Sequence, residues 1–142
     1  MVKIRKSTDA ETIQKLNLIF FPETPLSEDA LDNSVWWIAY DDDTEVGFGG
    51  LYTGIQGQRW LVRVGVARTH RRLGLGWRLL EKRVAYWRKH HPKCALYTYC
   101  ACWNTGSVKN ILRAKLIPYR VEDNEWLYFW RPAHTHTSSG SY

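Results

Sequence analysis

The residues Arg71-Arg72-Leu73-Gly74-Leu75-Gly76 combine types and spacings that suit one kind of chemistry. They lie between an apolar, valine-rich run from Leu61 to Val66 and a long segment in which Trp77, Leu80, Val84 and Trp87 recur at helical spacing. Strand, basic turn, two spaced glycines and helix make the layout of an anion site. The first amides of a helix have no partner within it, and the helix dipole adds partial positive charge there. Glycines let a phosphate reach that backbone with no Cβ in the way. The chemistry implied is the holding of a pyrophosphate.

Charge is distributed in a way that agrees. Residues 1–58 carry four Lys/Arg against ten Asp/Glu, a net of −6, and residues 59–93 carry eleven against one, a net of +10. The remainder is near neutral, so the formal total of +6 arises almost wholly around the basic turn. A polyanionic small molecule would account for this, and so would nucleic acid. The three cysteines, Cys94, Cys100 and Cys102, form an odd, clustered set that reads as free thiols. With His90-His91 they invite a zinc reading, but the spacings match no usual ligand pair, and no metal is expected. The eight tryptophans are read as packing residues, with Trp36, Trp37, Trp77 and Trp87 at core-like positions.

The elements that must position the basic turn follow from pattern. Val2 to Arg5 alternates as a strand, and Ile13, Leu16 and Phe20 make a helix stripe that ends at Pro22. Ser27 caps a short acidic helix with Ala30 and Leu31 inward. Val35 to Tyr40 and Glu45 to Thr53 form a hairpin, and Gly49-Gly50 predicts a bulge or a close backbone approach. Gly54 to Gln58 reads as a turn before the central strand. After the long helix come a strand at 95–101, a helix from Asn104 to about Lys115 carrying Val108, Ile111 and Leu112, and a hairpin around Asp123-Asn124. The order is β-α-α-β-β-β-α-β-α-β-β, an α/β fold with a mixed sheet of about seven strands. One domain over residues 1–131 and a disordered tail over 132–142 are expected. No stretch approaches the ~20 apolar residues of a membrane span, and the N-terminus lacks a signal-peptide core, so a cytoplasmic location is expected.

This order, with Arg71-x-x-Gly74-x-Gly76 at a strand-to-helix turn, resembles the GNAT superfamily of acyl-CoA-dependent N-acetyltransferases over residues 2–131. The resemblance implies that acetyl-CoA is the cosubstrate and that its acetyl group passes to an amine by direct attack in a ternary complex. It implies that Arg71, Arg72, Leu73, Gly74, Leu75 and Gly76 hold the coenzyme A pyrophosphate. Backbone groups of Val64 and Val66 would pair with the pantetheine arm between the fourth and fifth strands. Asn104 and Ser107 match the family's later motif, which helps orient the cofactor. Arg72 stands where many relatives have glycine. Many relatives also carry a tyrosine on the last helix that protonates the departing thiolate; the two possible registers place Ile111 or Ala114 there.

Acetyl transfer needs a neutral amine and a leaving group that departs easily, so a proton acceptor and a proton donor are sought. The fourth strand has no carboxylate, which leaves Glu23 and Glu28, or water, as the base. Tyr99, Cys100 and Tyr119 are the candidate acids. The segments that line the acceptor pocket in this family carry Glu23, Glu28, Asp29, Asp32, Asp123 and Glu125 here, which suits a cationic or amine-rich small molecule or peptide. Two alternatives remain open: a nucleic-acid-directed acyltransferase or binding module, and a fold that binds coenzyme A without turnover. The protein is expected to be a monomer or a homodimer.

Overall fold

The computed structural model describes residues 1–134; residues 135–142, most of the expected tail, lie outside the described residues. The elements are β1 (Val2–Ser7), α1 (Ala10–Phe20), α2 (Glu28–Asp32), β2 (Ser34–Asp41), β3 (Thr44–Ile55) and β4 (Gln58–Val66). They continue with α3 (Leu75–His90), β5 (Ala95–Ala101), α4 (Thr105–Arg113), β6 (Ile117–Glu122) and β7 (Trp126–Arg131). The expected element order and mixed sheet are both present. The seven strands lie in the order β1-β2-β3-β4-β5-β7-β6, antiparallel except for β4 and β5.

Strand alternation sends side chains to two faces, and the helices divide between them. Trp36, Ile38 and Phe48 meet Ile13 and Leu16 of α1 and Leu26 before α2. Trp37, Leu51, Leu61, Leu96 and Phe129 meet α3 through Leu79, Leu80, Val84 and Trp87, and α4 through Ile111. Local capping agrees with the sequence. Asp9 accepts from the Thr12 amide and Ser27 from the Ala30 amide, which satisfies one free donor at each helix start. Arg88, Lys89 and His90 occupy the last turn of α3, where cations suit the dipole.

Several local expectations need correction. The turn expected over 54–58 is only Gln56-Gly57, with Gly57 at φ 78°, because β3 and β4 pair out to Ile55 and Gln58. Trp77 is half-buried and packs against the edge of the core, whereas Leu112 is exposed and does not join the core stripe of its helix. A core position on α3 that the apolar pattern overlooked is taken instead by Arg83, which is 3% exposed. Gly49-Gly50 delivers both features expected of it. A Cβ on Gly50 would come within 2.5 Å of the Trp36 ring, and one on Gly49 within 3.1 Å of the Arg83 guanidinium. The ladder shifts at the same place: Gly49 pairs with Val64 and Gly50 with Val62, leaving Arg63 bulged out at φ 49°.

Candidate functional site

The N-terminus of α3 is open. Gly74 caps it in the left-handed region at φ 77°, and no side chain hydrogen-bonds to the cap. The first bond of the helix runs from the Arg78 amide to the Gly74 carbonyl at 3.0 Å. The amides of Leu75, Gly76 and Trp77 therefore have no helical acceptor. A Cβ on Gly74 would meet nothing within 4 Å, so the demand for glycine comes from its backbone angle and from whatever occupies the space outside. Arg72 is also left-handed, at φ 68°, which gives a physical reason for glycine to be the alternative there. Leu75 is buried and pins the turn to the core, while Arg71, Arg72 and Leu73 project outward. Arg71 Nε donates to the Val66 carbonyl at 3.2 Å, tying the turn to the end of β4.

Beside this turn the sheet splits. β4 and β5 pair only over Gln58–Ala95, Arg59–Leu96 and Trp60–Tyr97, and beyond that they diverge. At the base of the gap Thr98 Oγ1 donates to the Leu61 carbonyl at 3.2 Å. The Ala67 amide donates to Val46 at 2.7 Å, and the register continues as Val66–Gly47, Gly65–Phe48 and Val64–Gly49. Alternation in an antiparallel ladder then turns the backbone groups of Val64 and Val66 away from β3, into the gap.

A cleft of about 770 Å³ runs from Val66, at the end of β4, across the α3 N-terminus. Val66, His70, Arg71, Arg72, Gly74, Leu75, Gly76 and Trp77 line one side, and Gly106, Lys109, Asn110, Leu112 and Arg113 of α4 line the other. The α4 cations escaped the sequence reading, although their i, i+4 spacing on a short helix was a usable signal. The Arg113 guanidinium lies 4.0 Å from the centroid of the Trp77 ring, joining α4 to the start of α3. His70 donates from Nε2 to Asp41 Oδ2 at 2.7 Å, and that bond holds the Asp41 carboxyl below the usual carboxylate range. Asn104 caps α4, its side-chain oxygen accepting from the Ser107 amide at 3.1 Å.

The candidate proton-transfer residues do not converge on one point. Cys100 packs against the α3 side of the sheet, where burial, with Cys102 nearby, pushes its thiol up. Tyr99, next along the chain, faces the opposite way. On that face β5, β7 and β6, with Trp60 at the edge of β4, carry linked rings: Trp60–Tyr97, Tyr97–Tyr119, Tyr119–Tyr128, Tyr128–Tyr99 and Tyr99–Trp126. Tyr99 is 48% and Tyr119 46% exposed, and burial pushes the Tyr119 hydroxyl up. Tyr99 is on the strand that borders the gap, whereas Tyr119 is two strands further out. Ile111 is buried in the core and Ala114 caps α4, and neither side chain carries a hydroxyl. Glu23 and Glu28 are exposed, one in the loop after α1 and one opening α2. Arg63, thrown out by the bulge, reaches that loop: its guanidinium stands 5.0 Å over Phe21 and donates to the Thr24 carbonyl at 3.4 Å. Among the described residues no group of three or more His, Cys, Asp or Glu is placed to hold a metal.

The sequence profile of the acetyltransferase (GNAT) family matches residues 6–113, well over half of the chain. The chain belongs to the GNAT acetyltransferase family. No curated protein matches the sequence. Solved structures similar to this GNAT protein include the ribosomal-protein-S18-alanine N-acetyltransferase of Escherichia coli, at 14% identity and a TM-score of 0.78, with 97% of each chain covered. An Elizabethkingia anophelis GNAT acetyltransferase with acetyl-CoA bound has 15% identity and a TM-score of 0.75, over 92% of this chain and 97% of that one. An Arabidopsis thaliana protein in complex with the bisubstrate analogue CoA-Ac-MVNAL has 18% identity and a TM-score of 0.75, again over 92% and 97%. At these identities the likeness shows the GNAT fold. No helix among the described residues is long and apolar enough to cross a membrane.

Proposed function

We propose that this GNAT protein transfers an acetyl group from acetyl-CoA to an amine acceptor by direct attack in a ternary complex. The observation that carries the reading is the continuity of the β4–β5 gap, edged by the outward backbone groups of Val64 and Val66, with the unpartnered amides at the start of α3. The residues fit the group they would hold. The amides of Leu75, Gly76 and Trp77, with Arg71 and Arg72, would take the pyrophosphate, and Lys109 and Arg113 add charge across the cleft. Val64 and Val66 would pair with the amides of the pantetheine arm as one strand pairs with another. Asn104 and Ser107 keep the α4 start in place at the same cleft.

Bound there, acetyl-CoA supplies an acetyl group as a thioester. The remaining requirements fall on side chains. The Val66 amide, turned into the gap by the ladder on either side of it, would be a preorganised donor for the developing oxyanion. An acceptor amine of lysine type, with a pKa near ~10.4, must lose a proton, and Glu23 or Glu28, or water held by backbone carbonyls, would take it. Tyr99 is the best-placed donor for the leaving thiolate, with Tyr119 and Cys100 as the other candidates. A thiolate leaving group with a pKa near ~8.5 makes that donor helpful without being indispensable. The acidic loop and α2 support a cationic or amine-bearing small molecule or peptide as acceptor.

A second reading, coenzyme A binding without turnover, is favoured by one observation: Ile111 and Ala114 stand where a tyrosine would serve. A thiol-release screen with acetyl-CoA against polyamines, amino acids, peptide N-termini and nucleosides separates the two. Release with one amine class supports transfer, and the nucleoside arm tests the nucleic-acid alternative. Tight coenzyme A binding with no release in any arm would leave the non-catalytic reading standing.

A further inference from the structure

Arg83 is a cation in the core. It is 3% exposed, and among the described residues no carboxylate pairs with it. Burying a charge in this way is unfavourable on general grounds, and a methionine would fill a similar volume without that penalty. The guanidinium is engaged with backbone carbonyls instead. Nε donates to Leu79 at 3.2 Å within its own helix, and Nη1 donates to Gly50 at 3.2 Å and Arg63 at 3.5 Å. Gly50 and Arg63 flank the place where the β3–β4 ladder slips by one residue. Gly49 makes room for the contact, since its Cβ would lie 3.1 Å from the guanidinium carbon.

The slip decides which residues face the gap. Below the bulge the Leu61 carbonyl is turned towards β5, where it accepts from Thr98. Above it the outward backbone groups belong to Val64 and Val66. A regular ladder would have turned Arg63 and Gly65 outward, because a one-residue shift reverses every later position. Arg63 itself adopts φ 49°, a strained angle for a non-glycine residue that persists only where neighbours impose it. The bulge leaves the Arg63 carbonyl outside the regular ladder, and Arg83 is the donor that meets it.

We propose that Arg83 is a positioning residue for the coenzyme arm: by holding the Gly50 and Arg63 carbonyls from inside the core, it keeps the β4 register in which Val64 and Val66 face the gap. This rests on the coenzyme A reading above and goes beyond it, since Arg83 touches neither the cleft lining nor the anion site. It links α3, whose first turn would take the pyrophosphate, to the strand that would take the pantetheine.

The test compares two ligands in wild type, Arg83→Met and Arg83→Lys by calorimetric titration. Coenzyme A spans the gap, while adenosine 3′,5′-bisphosphate reaches only the anion end. Arg83→Met is expected to weaken coenzyme A by about tenfold and the bisphosphate by less than about twofold, with Arg83→Lys between wild type and Met. Hydrogen exchange at the Gly65 and Ala67 amides, which the ladder turns towards β3, should quicken in the ligand-free protein in the same order. If Arg83→Met does not fold, Arg83→Lys carries the test with the same sign. Equal losses for both ligands, or no loss for either, would overturn the proposal, because a residue that only stabilises the fold would not separate them. A wild-type protein that binds neither ligand would overturn the coenzyme A reading itself and the proposal with it.

Discussion

On the α3 side of the cleft, a ligand would meet backbone: the amides of Leu75, Gly76 and Trp77, a left-handed glycine and two arginines within seven residues of chain. On the other face of the sheet it would meet side chains. Tyr97, Tyr99, Tyr119, Trp126 and Tyr128 come from three strands, and Glu23 and Glu28 come from a loop and a helix far earlier in the chain. The first region can recognise a group every acyl-CoA carries, because amides and a helix dipole read charge and little else. The second has the variety of hydroxyls, rings and carboxylates that discrimination between amines needs. Substitutions in the first region should therefore act on cofactor affinity, and in the second on turnover and acceptor choice.

The largest separation is expected at the proton donor. Tyr99→Phe should lower turnover by about 10²-fold with coenzyme A affinity unchanged, while Tyr119→Phe should cost less than about tenfold. The reverse order would move the donor to Tyr119. Burial holds that hydroxyl above the ordinary tyrosine value, so it stays protonated further into the alkaline range, and the falling limb of kcat would lie higher than for an exposed tyrosine. Next, Gly74→Ala should weaken coenzyme A by about tenfold and destabilise the protein by about 1–2 kcal/mol, since its left-handed angle strains any Cβ. Calorimetry and thermal melts read both quantities, and unchanged affinity would remove Gly74 from the anion site.

Charge reversal of Glu23 and Glu28 to lysine should raise the KM for a cationic amine by about tenfold while sparing cofactor affinity. An unchanged KM would sink the acidic acceptor idea. A smaller effect is expected at Gly76, whose Cβ would meet only Asn110 Nδ2 at 3.6 Å. Gly76→Ala should leave coenzyme A affinity within about threefold and stabilise α3 by roughly 0.5–1 kcal/mol. The smallest is His70→Ala. The Asp41 carboxyl is depressed in the fold chiefly by its bond from His70, so its contribution is present above the unfolded carboxylate pKa and lost as pH falls through the folded one. Removing the imidazole should return Asp41 toward its ordinary range and shift the acid limb of stability upward, as followed by NMR titration.

The glycine turn before α3, the α3 helix and the element order were all legible in the residue pattern, because they depend on interactions a few residues long. Gly74 takes its left-handed angle from its own lack of a Cβ, Asn104 caps α4 through a bond three residues away, and Gly57 closes a tight turn. Gly49-Gly50 announced an irregularity, though not what would fill it. It took the packed fold to bring Arg83 under Gly49, meeting carbonyls 20 and 33 positions away in the chain. The fold also decided that Lys109 and Arg113 face the basic turn and that Tyr99 and Cys100 part to opposite faces. The physical reason is range. Backbone angles and caps are set by neighbours in the chain, whereas a bulge, a buried cation and a gap between strands exist only once distant segments have paired.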